Sequence, residues 1–221
     1  MFSKPRTRKF LHNFLSFEEL ETTTINGKRH YITPGGTFLS VTSVLGEKLS
    51  KDGLIAWRNR VGEAEANKVS TQASRRGSAI HSLAEKYLLN EENWDRGAMP
   101  VNIDTFSRIK PLLDKNIGSV YGIEVPVWSS KLKTAGRVDL LAGWQGFNSI
   151  IDFKTSKRIK TEEQILSYFL QATAYSLCAR ELNPKLDFKK IVIIIAVDHE
   201  DTQVFVKDRD EYVDRVMEIF T

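Results

Sequence analysis

The sequence of 221 residues is poor in cysteine and has no long apolar run. Its one cysteine, Cys178, cannot form a disulfide within the chain, which excludes the stapled fold of small secreted domains. It also excludes an iron–sulfur cluster held by four cysteines of one chain. The most apolar segment, residues 191–197, is much shorter than the ~20 residues of a membrane-spanning helix. We therefore expect a soluble intracellular protein with no iron–sulfur cluster and no membrane partner.

The chain has no acidic excess. Lys and Arg number 32 against 28 acids, which gives a net charge of +4 and a pI near 9.1. This balance suits a polyanionic partner such as nucleic acid but does not require one. Four basic residues between positions 4 and 9 precede the first acid, Glu18, a pattern compatible with an organelle transit peptide or with a basic arm. We interpret residues 1–23 as a basic arm and expect a bacterial or phage-infected cytoplasm rather than the mitochondrion.

Composition and length favour one folded domain over residues 24–221. Hydrophobic residues make up 41% and charged residues 27% of the chain, as in ordinary globular proteins. Residues 24–115 are predicted to form a hairpin, with the turn at Asn26-Gly27, and then a helical part. Residues 116–221 are predicted to form a sheet core. The predicted helices of the first part span residues 40–49, 53–68, 73–89 and 103–113.

In the second part, short segments rich in Val, Ile and aromatic residues predict a three-stranded meander over residues 120–128, 132–142 and 149–154. A capping box at Thr161 to Gln164 predicts a helix that ends near Leu182. Strands at residues 190–197 and 202–206 and a helix at 210–220 complete the chain. The order of elements predicts an α/β fold with a mixed sheet.

Three charged residues stand out on two predicted neighbouring strands. Asp139 lies on one strand, and Asp152 and Lys154 share one face at the end of the next because strand side chains alternate, with Ile151 and Phe153 turned the other way into the core. Phosphodiester hydrolysis needs such a trio, since carboxylates hold Mg²⁺ or Mn²⁺ and a cation steadies the attacking water. The carbonyl of Phe153 could be a further ligand. A solvated strand end is the alternative, because Asp-x-Lys is common by chance.

Several segments then make a family resemblance specific. Residues 136–139 (GRVD) and 152–155 (DFKT) resemble the G-x-x-D and (D/E)-x-K signature of the PD-(D/E)XK nucleases. Residues 75–81 (RRGSAIH) and 171–175 (QATAY) resemble two helix motifs of the RecB-type branch of that superfamily. Upstream, residues 38–45 and 57–62 are similar to the N-terminal region of mitochondrial genome maintenance exonuclease and its phage relatives. The resemblance covers residues 25 to 198 and points to the members without an iron–sulfur cluster.

The resemblance implies a restriction-endonuclease-like core, with a central mixed sheet flanked by helices and a helical region before it. It also implies a site with two Mg²⁺ or Mn²⁺ ions. The residues implied as catalytic are Asp139, Asp152, Lys154 and His81. The implied metal ligands are His81, Asp139, Asp152 and the Phe153 carbonyl, with Glu85 and Glu124 as further candidates. An imidazole ligand would favour Mn²⁺.

Five residues are implied as contacts to the nucleic-acid backbone: Gln171, Tyr175, Arg137, Thr155 and Lys157. These residues have plainer alternatives. Gln171 and Tyr175 lie four apart on one helix and could simply pack, and exposed charges often contact nothing specific. The candidate ligand His81 could likewise be a structural histidine beside an apolar stripe.

The function that the resemblance implies is a metal-dependent DNA exonuclease of replication, repair or recombination. Its expected partner is DNA that is single-stranded or has free ends. Two alternatives stay open: a structure-specific endonuclease on the same core, and a DNA-binding module that has lost catalysis.

Overall fold

The computed structural model describes residues 9–49 and 52–221. These residues form nine β-strands and six α-helices. The strands are β1 (Leu11–His12), β2 (Glu21–Ile25), β3 (Lys28–Thr33), β4 (Gly36–Ser40), β5 (Ile117–Ser129), β6 (Thr134–Trp144), β7 (Phe147–Ser156), β8 (Lys190–Val197) and β9 (Gln203–Asp208). The helices are α1 (Val41–Lys48), α2 (Asp52–Val61), α3 (Glu63–Leu88), α4 (Pro100–Asn116), α5 (Leu166–Leu182) and α6 (Val213–Phe220).

One mixed sheet contains all nine strands. Its order is β2-β3-β4-β6-β7-β8-β9, and β5 pairs with the other edge of β6 and with β1. The β5-β6-β7 meander is antiparallel, whereas β7 and β8 run parallel. The predicted α/β fold with a central mixed sheet flanked by helices is thereby confirmed.

Helices cover both faces of this sheet because its central strands are apolar on both sides. Ile151 and Phe153 of β7 turn towards α3 and α4, where they join a buried cluster that includes Phe106. Ile150 turns the opposite way, into the cluster built on α5 and α6. Every residue of β8 from Ile191 onwards is buried, as expected of a strand between two helical layers. The predicted inward orientation of Ile151 and Phe153 is confirmed.

Two tight turns follow from residues that tolerate positive φ. Asn26 and Gly27 have φ of 52° and 74°, so the predicted hairpin between β2 and β3 is confirmed. Gln145 and Gly146, with φ of 50° and 88°, join β6 to β7 in the same way. This short turn fixes the antiparallel register that pairs Leu140 of β6 with Ile151 of β7, and so places Asp139 beside Asp152.

The helical region differs from its prediction at residue 62. The sequence predicts one helix over residues 53–68, but Gly62 has a φ of 82° and separates α2 from α3. The first part of the predicted helix also lacks a buried face, because α2 buries none of its residues and Ile55 is 52% exposed.

Two strands of the first half were not predicted. β4 pairs in parallel with β6, and β1 pairs in parallel with β5. The sheet therefore reaches into the part for which the sequence predicts a hairpin and helices. Residues 9–20 of the predicted arm also contact the domain, since Phe10 and Leu20 are buried. Lys4, Arg6 and Arg8 lie outside the described residues. The division into an arm and one domain stays a prediction.

The predicted capping box is half formed. Gln164 accepts a hydrogen bond from the backbone N–H of Thr161 at 3.2 Å. A 3₁₀ turn, Glu163–Ile165, then precedes α5, whose first residue has no side-chain cap. The helix ends at Leu182, as the sequence predicts.

Candidate active site

The sheet has an opening along one edge of β6, between the part of β6 that pairs with β4 and the part that pairs with β7. The β6–β7 ladder ends at the pair Leu140 and Ile151, while β4 pairs with β6 only at Thr134 and Ala135. Among the described residues, no strand pairs with residues 136–139 on this edge of β6. Side chains from both faces of the sheet can therefore meet in this opening, which is where the sequence places the aspartates.

Asp139 lies in this opening with only 12% of its side chain exposed. Its Oδ2 accepts a hydrogen bond from the backbone N–H of Phe153 at 2.8 Å. That bond spans the gap where the ladder stops and ties the carboxylate to β7. The other oxygen, Oδ1, lies 3.5 Å from Nδ1 of His81.

Asp152 and Lys154 lie together on one face of β7. Asp152 is 2% exposed, and its Oδ2 forms an ion pair with the ammonium of Lys154. Its Oδ1 accepts a hydrogen bond from Nε2 of Gln171 at 2.9 Å. The ammonium of Lys154 also lies 5.2 Å from the centre of the Tyr168 ring, a cation–π contact. Helix α5 therefore holds both members of this pair.

Tyr175 packs one turn further along α5, against the backbone of Gly136. Its ring is almost fully buried. Burial and the two nearby aspartates hold the pKa of Tyr175 well above its ordinary value, so its phenol stays neutral. Tyr168, Gln171 and Tyr175 thus share the helix face that meets the opening. The spacing of Gln171 and Tyr175 predicted their common face, but not that Tyr168 contacts Lys154.

His81 enters from α3, on the opposite face of the sheet. Its Nε2 lies 2.8 Å from the carbonyl oxygen of Phe153. A carbonyl can only accept, so Nε2 carries the proton of this bond. Nδ1 then faces the acids, 3.5 Å from Asp139 and 3.9 Å from Glu124. A histidine fixed in this way by a backbone carbonyl has the orientation of a metal ligand.

Glu124 belongs to β5 and faces Asp139 across the β5–β6 ladder. Its φ of 51° is unusual for a residue within a strand. Its backbone carbonyl accepts a hydrogen bond from Arg137, while its carboxylate is directed towards His81. A left-handed residue of this kind is costly and concentrates at functional sites.

The charges in the opening shift each other's pKa. Burial lowers the pKa of His81. The carboxylates of Glu124, Asp139 and Asp152 raise it, and the net value is about 9. Burial and Asp152 raise the pKa of Asp139 to about 7. Burial also lowers the pKa of Lys154, but Asp152 and Asp139 raise it above its ordinary value. Lys154 therefore stays protonated. The crowded carboxylates favour the binding of positive charge, which either protons or a metal cation could supply.

The residues present fit a divalent cation. One ligand atom from each of His81, Glu124 and Asp139 lies within 4.8 Å of the others. Because Mg²⁺ bonds its ligands at roughly 2.0–2.2 Å, two ligand atoms of one ion lie at most about 4.4 Å apart. The His81 to Asp139 and His81 to Glu124 distances of 3.5 and 3.9 Å satisfy this limit. Asp152 lies beside this group rather than in it, and the predicted pair of ions stays a prediction.

Other predicted site residues have different surroundings. The guanidinium of Arg137 forms an ion pair with Glu19 as well as its bond to the Glu124 carbonyl. Thr155 lies on β7 next to Gly77 of α3, and Lys157 is exposed just beyond β7. Glu85 lies one helical turn beyond His81. Burial, with Glu124 and Glu91 nearby, raises the pKa of Glu85.

The sequence matches no protein-family model and no curated protein sequence. A solved structure from Eubacterium rectale, named "Putative exonuclease", superposes with a TM-score of 0.46 and 13% identity. The match covers 67% of this chain and 63% of that one, so the chain spans less than two thirds of that protein. A likeness this weak carries no conclusion about either fold or activity.

None of the helices in the described ranges combines the length and the apolar character that crossing a bilayer requires.

Proposed function

We propose that this chain is a divalent-metal-dependent nuclease that hydrolyses phosphodiester bonds in DNA. The observation that carries the proposal is the meeting of His81, Glu124 and Asp139 beside the Asp152–Lys154 pair. Three separate strands and a helix contribute to it. A solvated strand end, the plainer alternative, would not bury Asp152 to 2% exposure or hold both of its oxygens.

The donor set suits Mg²⁺ or Mn²⁺. Two carboxylates supply the oxygen ligands that these ions prefer, and the imidazole makes Mn²⁺ the better activator. When bound, the cation supplies Lewis acidity to the phosphate and makes a bound water more acidic. His81, Asp139 and Glu124 would hold it, and Asp152 lies close enough to raise the pKa of Asp139.

The remaining steps belong to the side chains of β7 and α5. Lys154 stays protonated, so its ammonium can orient the attacking water and balance the charge that develops on the phosphate oxygens. Gln171 keeps Asp152 in the rotamer that receives this ammonium. The reaction adds water across one P–O bond, and the proposed products are a 5′-phosphate and a 3′-hydroxyl.

End-labelled linear DNA tests this proposal. We expect the full chain to degrade it with Mg²⁺ or Mn²⁺ and not with EDTA. Asp152→Asn should lower the rate at least about a thousandfold, because it removes the charge that positions Lys154. The matched control is Asp201→Asn, at an exposed position in the turn after β8. Hydrolysis by Asp152→Asn at the wild-type rate would remove the mechanism.

Closed circular single-stranded DNA separates the two enzymatic alternatives. The proposed exonuclease, which acts on single strands or free ends, should leave the circle intact while it shortens the linear form. A structure-specific endonuclease would linearise the circle. A chain that binds both forms and cleaves neither with any metal would be a binding module, and the enzymatic proposal would fail.

A further inference from the structure

A cavity of about 320 Å³ adjoins the candidate metal ligands. Its walls are the N-terminal segment around Phe14, the end of α3 at Glu85 and Leu89, and strand β5 at Ile123 and Glu124. Glu124 belongs both to this cavity and to the group with His81 and Asp139. Whatever occupies the cavity is therefore a direct neighbour of the proposed reaction centre.

The N-terminal wall is held in place by the sheet. The backbone N–H groups of Asn13 and Leu15 donate to the carbonyls of Val120 and Tyr121, each at 2.8 Å. Phe14 lies between these two anchors and is 52% exposed. The ring of Phe14 is therefore held beside the candidate metal ligands with about half of its surface open.

One face of the Phe14 ring is already stacked. The His12 ring lies 4.7 Å away, centre to centre, and is inclined by 16°. His12 is itself fixed by a 2.8 Å bond between its Nε2 and the carbonyl of Leu88. The pair forms a rigid platform on which a further flat group could stack.

The residues that line the cavity favour some planar ligands over others. Phe14, Phe17, Leu89 and Ile123 supply apolar area, and Glu85 supplies a carboxylate, whereas the carboxylate of Glu19 is already paired with Arg137. No Lys or Arg belongs to the lining among the described residues, so the lining itself offers no cation to a phosphate. A nucleobase satisfies both conditions, because it has a stacking face and an amino or ring N–H group that donates to a carboxylate.

We propose that this cavity binds one unpaired nucleobase of the strand whose phosphodiester lies at the His81–Glu124–Asp139 group, an inference that rests on the proposed nuclease function. A paired base presents neither a free face nor a free Watson–Crick edge. The cavity therefore accepts a base from a single strand or a frayed end, and it disfavours an abasic residue.

Binding tests the cavity without hydrolysis. The probe is a single-stranded oligonucleotide with 2-aminopurine at successive positions, titrated with the full chain in EDTA. We expect strong fluorescence quenching at one position, reduced about tenfold in apparent affinity by Phe14→Ala and restored by Phe14→Trp, because a stacked base contributes that much. Phe147→Ala, at the exposed first residue of β7, is the matched control. Equal quenching by the wild type and Phe14→Ala would overturn the proposal.

Cleavage gives a second measurement. A linear strand with one abasic residue should be cut about tenfold more slowly when that residue falls at a single position relative to the scissile bond. Phe14→Ala should lose this dependence. A flat profile in the wild type would overturn the base site while leaving the nuclease intact. No hydrolysis of any DNA would refute the nuclease, and the fluorescence titration would still decide whether the cavity takes a base.

Discussion

Gly136 and Tyr175 approach so closely that no larger residue fits at position 136. A Cβ built on Gly136 would lie 2.5 Å from Cε1 of Tyr175 and 3.0 Å from its hydroxyl. The φ of Gly136 is not positive, so the requirement is one of space rather than of backbone freedom. This contact sets the separation between α5 and the unpaired edge of β6, which also carries Asp139.

Gly136→Ala should therefore destabilise the chain by about 1–3 kcal/mol, because the added methyl group overpacks a buried contact. It should also lower the cleavage rate, since Tyr175 would have to move beside the aspartates. Urea unfolding and a cleavage assay measure the two effects. Gly46→Ala is the control: an added methyl group in α1 would have nothing within 4 Å, so this variant should be more stable by about 0.5–1 kcal/mol. Wild-type stability in Gly136→Ala would contradict the proposed constraint.

Glu124 should contribute more to metal affinity than Glu85. Only Glu124 belongs to the group within 4.8 Å, although the sequence offered both as candidates. We expect Glu124→Gln to weaken Mn²⁺ binding at least about tenfold, because it removes a charged oxygen ligand. Glu85→Gln should change it less than about threefold. Calorimetric titration with Mn²⁺ measures both, and the reverse order would contradict the assignment of Glu124.

The difference between these two acids illustrates what the sequence can and cannot predict. Glu85 shares a helix face with His81, since residues four apart on a helix are neighbours, but it does not belong to the ligand group. Glu124 lies beside His81 and Asp139 because of its left-handed φ inside β5 and because β5 pairs with β6. Neither feature has a signature in the local sequence.

The parts of the fold that the sequence predicts are those decided by local patterns. The alternation around Asp152 and the short turn at Gln145 fix the meander and bring Asp152 beside Asp139. The pairing of β4 with β6 joins residues 95 positions apart, and no local pattern selects that partner. The same holds for the ion pair between Arg137, a predicted phosphate contact, and Glu19 from the N-terminal segment.

Gln171 is expected to act as a positioning residue for Asp152. Gln171→Leu removes the 2.9 Å hydrogen bond, and Gln171→Glu replaces the donor by a second negative charge. We expect the rate constant kcat to fall about tenfold in the first variant and further in the second, with little change in KM, because the substrate does not need this bond to bind. Steady-state cleavage kinetics measure the split. A larger effect on KM than on kcat in both variants would assign Gln171 to DNA binding instead.

The pH dependence of stability should reveal the unfavourable charge of Asp139. Its pKa rises from 3.8 to about 7 on folding, chiefly through burial and Asp152. A group whose pKa is raised on folding contributes stability that is complete below its unfolded pKa and lost as pH rises through the folded one. The pKa of His81, raised from 6.5 to about 9, acts in the same direction. In EDTA, the chain should therefore lose stability between about pH 4 and pH 9.

Asp139→Asn should remove the loss of stability that comes from the ionisation of Asp139, between about pH 4 and pH 7. The amide oxygen can still accept the hydrogen bond from Phe153, and no charge has to be buried. In EDTA at pH 8 the variant should melt several degrees above the wild type, and the difference should vanish near pH 4, where the wild-type carboxyl is also neutral. Mn²⁺ at pH 8 should reverse the order, because only the wild type gains the ion's binding energy. Thermal melts across this pH range test the prediction, with Asp201→Asn as control. If Asp139→Asn were less stable than the wild type at pH 8 in EDTA, the buried charge of Asp139 would not destabilise the metal-free chain.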